Sequence, residues 1–266
     1  MESESVWLGG ARNVILRLAQ LSSAITIAVF VIMVFMRMFF GGIGMYELLR
    51  PEGGMWAALI LYLIAGTIAL WSIYLSDIRG VIEIERSGPF DIVSLMCSRL
   101  AMISIITIEV VMLYEVISRY VFSAPTLWAN EMSLWIASFI FLLSGLYAMQ
   151  QRSHIRIYVI YDMFPRWLKK ASDTLSVSLI VLFTTCLVWG SYNEAVLKFS
   201  RMEKYGTAWN PPIPATVKPA ILILIILVTI QAISNLIADW NKDTTHSPED
   251  DIDQTEIENI RRTLEG

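Results

Sequence analysis

The sequence predicts an all-α, polytopic integral membrane protein: a helical bundle of six transmembrane helices with both termini on the inner side. Three observations carry that expectation. The 266 residues are 56% hydrophobic and 17% charged, with a mean hydropathy of +0.58. Their apolar residues are gathered into long blocks rather than spread with a helical or strand period, and a soluble core does not need repeated uncharged runs of about eighteen residues. Such runs are also too long and too uniformly apolar for the short alternating strands of a barrel, which leaves helices as the way to satisfy the backbone in lipid.

Taken in order, the uncharged runs are 18–36, 55–75, 132–149, 175–189 with an apolar continuation, and 219–238. The chain starts MESES, acidic and without a basic n-region, so no cleavable signal peptide is expected and the first run stays in the membrane. Glycines at 41, 42 and 44 and the run RPEGG at 50–54 break the chain before the second. A mixed-charge stretch with Arg79, Glu83, Glu85 and Arg86 leads to Gly88-Pro89. The expected organisation is therefore an N-terminal helix pair (1–79), a linker (80–92), four helices (93–240) and an acidic tail (241–266). The block 92–117 supplies the sixth helix although it carries Arg99, Glu109 and Glu115.

The stretch 119–165 is the most distinctive. Arg119-Tyr120-Val121-Phe122, Pro125, Trp128 and Glu131 precede the uncharged run 132–149, and His154-Ile155-Arg156-Ile157 and Phe164-Pro165 follow it. A helix of that run spans about 27 Å, close to the roughly 30 Å hydrocarbon core. With the N-terminus inside, eleven Lys and Arg residues near helix ends fall inside and seven outside, which favours both termini inside. The connection 151–173 is the most basic, and Pro165 followed by Arg166, Trp167, Lys169 and Lys170 reads either as a short interfacial helix or as a positive-inside loop. In the tail, Ser247-Pro248-Glu249-Asp250 is a good helix start, open to a docking helix or a solvated tail.

Candidate chemistry is sparse. Glu109 is the one acid expected deep in a helix, with a paired polar contact, a partner subunit or an ion as its possible counterparts. Glu115 and Arg119, and likewise Glu194 and Lys198, stand four apart in the favourable order for an ion pair. His154 and His246 both lie outside the apolar runs, which argues against a bis-histidine haem. Ser144 has no histidine or lysine base at its depth and is expected, with Ala148, to form a small-residue helix contact. There is no P-loop, so no ATP hydrolysis is expected of this chain. Cys97 and Cys186 sit in apolar blocks and imply neither a disulfide nor a metal. No cofactor and no nucleic-acid partner is expected.

The residues of 119–165, together with Gly145, Trp209, Pro212-Ile213-Pro214 and the final apolar helix, resemble the small membrane (DctQ-type) subunit of tripartite ATP-independent periplasmic (TRAP) transporters. The likeness spans about 93–240, and the helices before Arg79 are extra to it. It departs from the family's paired acids at Asn130-Glu131 and from an acid after the His-Ile-Arg run, where Tyr158 stands. The resemblance implies a non-catalytic scaffold of four helices in the cell inner membrane, partnered by a large membrane subunit and a periplasmic substrate-binding protein, in ion-gradient-driven uptake of an organic acid. Sodium would bind the large subunit.

Glu109, Arg119, Tyr120, Trp128, Glu131, His154, Arg156, Trp167 and Pro214 are the candidate subunit- or lipid-interface residues. Tyr120 and Trp128 also read as interfacial belt aromatics, Arg119 and Glu131 as a bridge across their turn, and His154 and Arg156 as contacts to lipid phosphates. The alternative from another class is an autonomous membrane sensor or assembly protein acting through its tail.

Overall fold

The computed structural model describes residues 5–41, 54–78, 80, 83, 88–152, 161 and 164–241. His154, Arg156, the first connection and the acidic tail lie outside the described residues. Among those described there are six long helices: α1 (Arg12–Phe40), α2 (Gly54–Ser76), α3 (Pro89–Tyr120), α4 (Ala129–Gln150), α5 (Arg166–Ser200) and α6 (Ile213–Asp239). Each is long and apolar enough to cross a membrane. A single 3₁₀ turn, Gly9–Ala11, precedes α1.

Local chemistry explains several ends. Gly41 closes α1 in the left-handed conformation (φ 70°), which lets its amide reach the Met36 carbonyl at no Cβ cost. At the start of α3, Pro89 occupies a position whose amide needs no partner, and Asp91 accepts the Gly88 amide at 3.1 Å. Pro214 takes the equivalent place in α6, while Pro219 lies inside that helix and forgoes one backbone bond. The turn from Pro165 through Lys170 is not a separate interfacial helix: it is the first part of α5, whose 35 residues, about 53 Å long, exceed a hydrocarbon core.

The helices pack in the spatial order α1, α2, α3, α4, α6, α5, with a light additional contact between α3 and α6. Successive helices run antiparallel, so residues 5–12 and residue 241 share one end with Asp77, while Trp128 and Trp209 mark the other. A row one helix thick leaves most apolar side chains facing outward, among them Ile106, Phe141 and Trp189. Lipid or a partner subunit must cover them.

Hydroxyls and amides tie neighbours together where small polar groups meet in an apolar setting. Thr67 of α2 bonds Ser22 and Thr26 of α1, and Trp71 donates to Ser23 at 2.7 Å. Ser72 donates to the Met96 carbonyl at 2.6 Å, joining α2 to α3. Thr184 and Thr229 share a buried 2.6 Å bond between α5 and α6. Ser144 and Gly145 face outward, and the Ser144 hydroxyl bonds its own helix at Phe141. Leu143, Leu146, Met149 and Gln150 form the buried side of α4 instead of a small-residue contact. Bulky side chains meet there because α4 lies between two helices.

Candidate functional site: the two braced ends of the helix row

At the tryptophan end, α3 finishes with Glu115 and Arg119 on one face, and the pair expected from their spacing forms: Arg119 Nε donates to Glu115 at 3.0 Å. The same buried carboxylate takes the amide of Thr126 at 2.9 Å and its hydroxyl. One acid therefore ends α3 and fixes the loop that leads into α4. Arg119 and Glu131 do not bridge that loop. Glu131 instead accepts the Thr207 hydroxyl at 2.7 Å, which fastens the 201–212 segment to α4.

Trp128 is 6% exposed and belongs to the core rather than to an aromatic belt; it packs with Val111, Ala129 and Trp209 and stacks on Tyr114. The cause is the 201–212 segment, which turns at Gly206 and Asn210 in left-handed conformations and carries Trp209 inward to 1% exposure. The Asn210 side chain holds that turn by accepting the Gly206 amide at 2.8 Å. Trp135 meets Trp209 edge-on and donates to Thr216 at 2.8 Å, so the start of α6 is bound to α4. Tyr120, by contrast, is 78% exposed beside this cluster. Pro214 is half-buried at the head of α6.

Lys198 leans to Glu203 at 2.6 Å and lies 3.9 Å from Glu194, which is taken by Lys218 of α6. The i,i+4 spacing is present, but a cross-helix cation competes for the acid. That contact, the Thr184–Thr229 bond and the Lys170 ammonium 4.8 Å from the Trp240 ring attach α5 to α6 along its length. Trp167, in the first turn of α5, is exposed.

The opposite end holds a network that sequence spacing did not reveal. Asp77, fully buried, accepts the amides of Trp7 (2.7 Å) and Leu8 (2.9 Å) and the Ser5 hydroxyl (3.0 Å), with Arg12 3.6 Å away. Burial pushes its carboxyl up, but the Leu8 and Trp7 amides, Ser5 and Arg12 outweigh that and hold it below its ordinary value. Glu83 pairs with Arg99 at 2.7 Å and accepts the Tyr147 hydroxyl at 3.2 Å, while Arg99 also donates to the Leu75 and Ile78 carbonyls. Gln231 of α6 donates to Asp91 at 2.7 Å and accepts from Ser94 at 3.1 Å, both in α3. Asn235 donates to the Met149 carbonyl at 2.7 Å, and Arg152 grips Asp239. Beside the last pair a cavity of about 420 Å³ opens between α4, α5 and α6, with Lys170, Asp173 and Trp240 on its wall. Arg99 and Gln231 inside apolar helices were the available signal, since polar groups at such positions require partners.

Glu109 stands apart: it is exposed on α3 and joins neither cluster. The residues expected at the interface are thus brought together only in part. Arg119, Trp128 and Glu131 share the tryptophan end, whereas Trp167 lies at the other.

No curated protein and no solved structure matches the chain. A family profile described as tripartite ATP-independent periplasmic transporters, DctQ component, matches residues 108–242, just over half of the 266. The match contains the whole tryptophan cluster and the α4–α6–α5 contacts, and α1 and α2 precede it. The chain belongs to the DctQ family, the small membrane component of TRAP transporters.

Proposed function

We propose that this subunit is a non-catalytic scaffold that holds the large transport subunit in the inner membrane, for binding-protein-dependent, ion-gradient-driven uptake of an organic acid. The observation that carries the reading is the bracing of α3, α4, α6 and α5 at both ends and at mid-depth, within and around the family match. A body so cross-bonded has little freedom to alternate between inward- and outward-open shapes, which suits a support better than a carrier. Its row-like packing offers broad apolar faces to a partner.

In this reading residues 93–240 form the scaffold and the 18–75 pair widens it. The Lys and Arg distribution favours the Asp77 end on the cytoplasmic side, with Arg166, Lys169 and Lys170 at the headgroups. Substrate and sodium sites lie in the large subunit, and the periplasmic binding protein delivers substrate to the tryptophan end.

Co-expression tests the proposal. A tagged chain should co-purify with the large subunit in mild detergent, and a chain lacking 243–266 should retain it. Recovery of the tagged chain without the large subunit would refute the scaffold reading, and loss of the partner only on removing the tail would favour a tail-mediated assembly protein.

A further inference from the structure

Seven acids lie in the described spanning helices, and six of them have a partner within the chain. Asp91 meets Gln231, Glu115 meets Arg119 and Thr126, Glu131 meets Thr207, Asp173 meets Tyr161, Glu194 meets Lys218, and Asp239 meets Arg152. Glu109 is the exception: no hydrogen bond or ion pair reaches it among the described residues. It lies eleven residues before Tyr120, about 16 Å along the helix axis. With Arg119 at the membrane surface, that is near the middle of the hydrocarbon layer.

The carboxyl also sits on a coherent surface. Met102, Ile106, Glu109, Leu113, Val116 and Tyr120 are exposed and spaced by three and four, so they form one stripe along the outer half of α3. An acid at that depth facing lipid is strongly disfavoured, and such groups in membrane proteins face protein or water. The apolar flanks supply contact area and the single acid selects what can lie against them, as one polar position fixes register in a helix pair.

We propose that this α3 stripe receives a transmembrane helix of the large subunit, and that the helix brings a basic or hydrogen-bond-donating side chain to Glu109. The proposal rests on the scaffold reading and names its contact face. A second copy of this chain is a poor occupant, because a two-fold pairing of the stripe sets Glu109 against Glu109 with no basic side chain between them. Lipid tails offer no donor at all. A partner helix carrying a complementary group satisfies both the apolar stripe and the acid.

The test compares Glu109→Leu and Glu109→Gln with the wild-type chain for recovery of the large subunit in mild detergent, alongside the melting temperature of each isolated chain. Glu109→Leu should lower recovery about tenfold or more, Glu109→Gln should fall between it and wild type, and the isolated Glu109→Leu chain should melt no lower than wild type. In a background free of Cys97 and Cys186, Leu113→Cys should cross-link to a cysteine on a large-subunit helix. Equal recovery for all three chains, or cross-linking of Leu113→Cys only to a second copy of itself, overturns the assignment. A wild-type chain that recovers no large subunit overturns the scaffold reading instead, before the variants are compared.

Discussion

At one end of the bundle Trp128, Trp209, Val111 and Ala129 close on one another beside a single buried acid, Glu115. At the other, Asp77 holds residues 5–12, Glu83 pairs with Arg99, and Gln231 bonds both Asp91 and Asn235. The first lies wholly within residues 108–242. The second joins residues before 108 to residues after it, through Tyr147 to Glu83 and Gln231 to Asp91. The family's part of the chain is therefore closed at the tryptophan end, and the additional helices are fastened at the carboxylate end. Polar networks suit that fastening because a misplaced register leaves a buried charge unmatched, whereas apolar packing between membrane helices discriminates less.

The comparison can be broken most severely at Arg99. Arg99→Met strands the buried Glu83 and frees the Leu75 and Ile78 carbonyls, and should cost about 3–5 kcal/mol in thermal unfolding. Proteolysis should then cut near residue 80 while the tryptophan end stays protected. A loss under about 1 kcal/mol would show that the polar network does not hold the extra pair.

A somewhat smaller loss, about 3 kcal/mol, is expected for Trp209→Ala, which empties the tryptophan cluster. Cleavage near residue 80 should not increase in that variant. If it does, the two ends are not separate.

Acid sharpens the comparison with the smallest effect. The Asp77 carboxyl is held below its ordinary value of 3.8, so its stabilisation is present above that pH and is lost as pH falls below it. Residues 5–12 should detach under those conditions, visible as a change in Trp7 fluorescence. Asp77→Asn should show the detached signal at neutral pH, at a cost of about 2 kcal/mol.

Five of the six crossings were legible because long uncharged runs have few alternative uses in a chain this apolar, and the sixth, α3, showed as an apolar block despite Arg99, Glu109 and Glu115. Helix ends were less so: α5 starts at Arg166, well before its apolar run, since Trp167, Lys169 and Lys170 can extend a helix into the interface. Glu115–Arg119 was readable from spacing because both partners lie on one helix face. Glu83–Arg99 and Gln231–Asp91 were not, because cross-helix pairing leaves no local period. Trp128 carried an ambiguous signal, as tryptophan at a helix mouth suits either a belt or a core, and only the distant 201–212 segment decides between them.

The central claim, a support that enables transport without performing it, is tested most directly by uptake into proteoliposomes from which one component at a time is left out. Organic-acid uptake along an ion gradient should require this chain, the large subunit and the binding protein together. Uptake by this chain alone, or undiminished uptake without it, would contradict that claim.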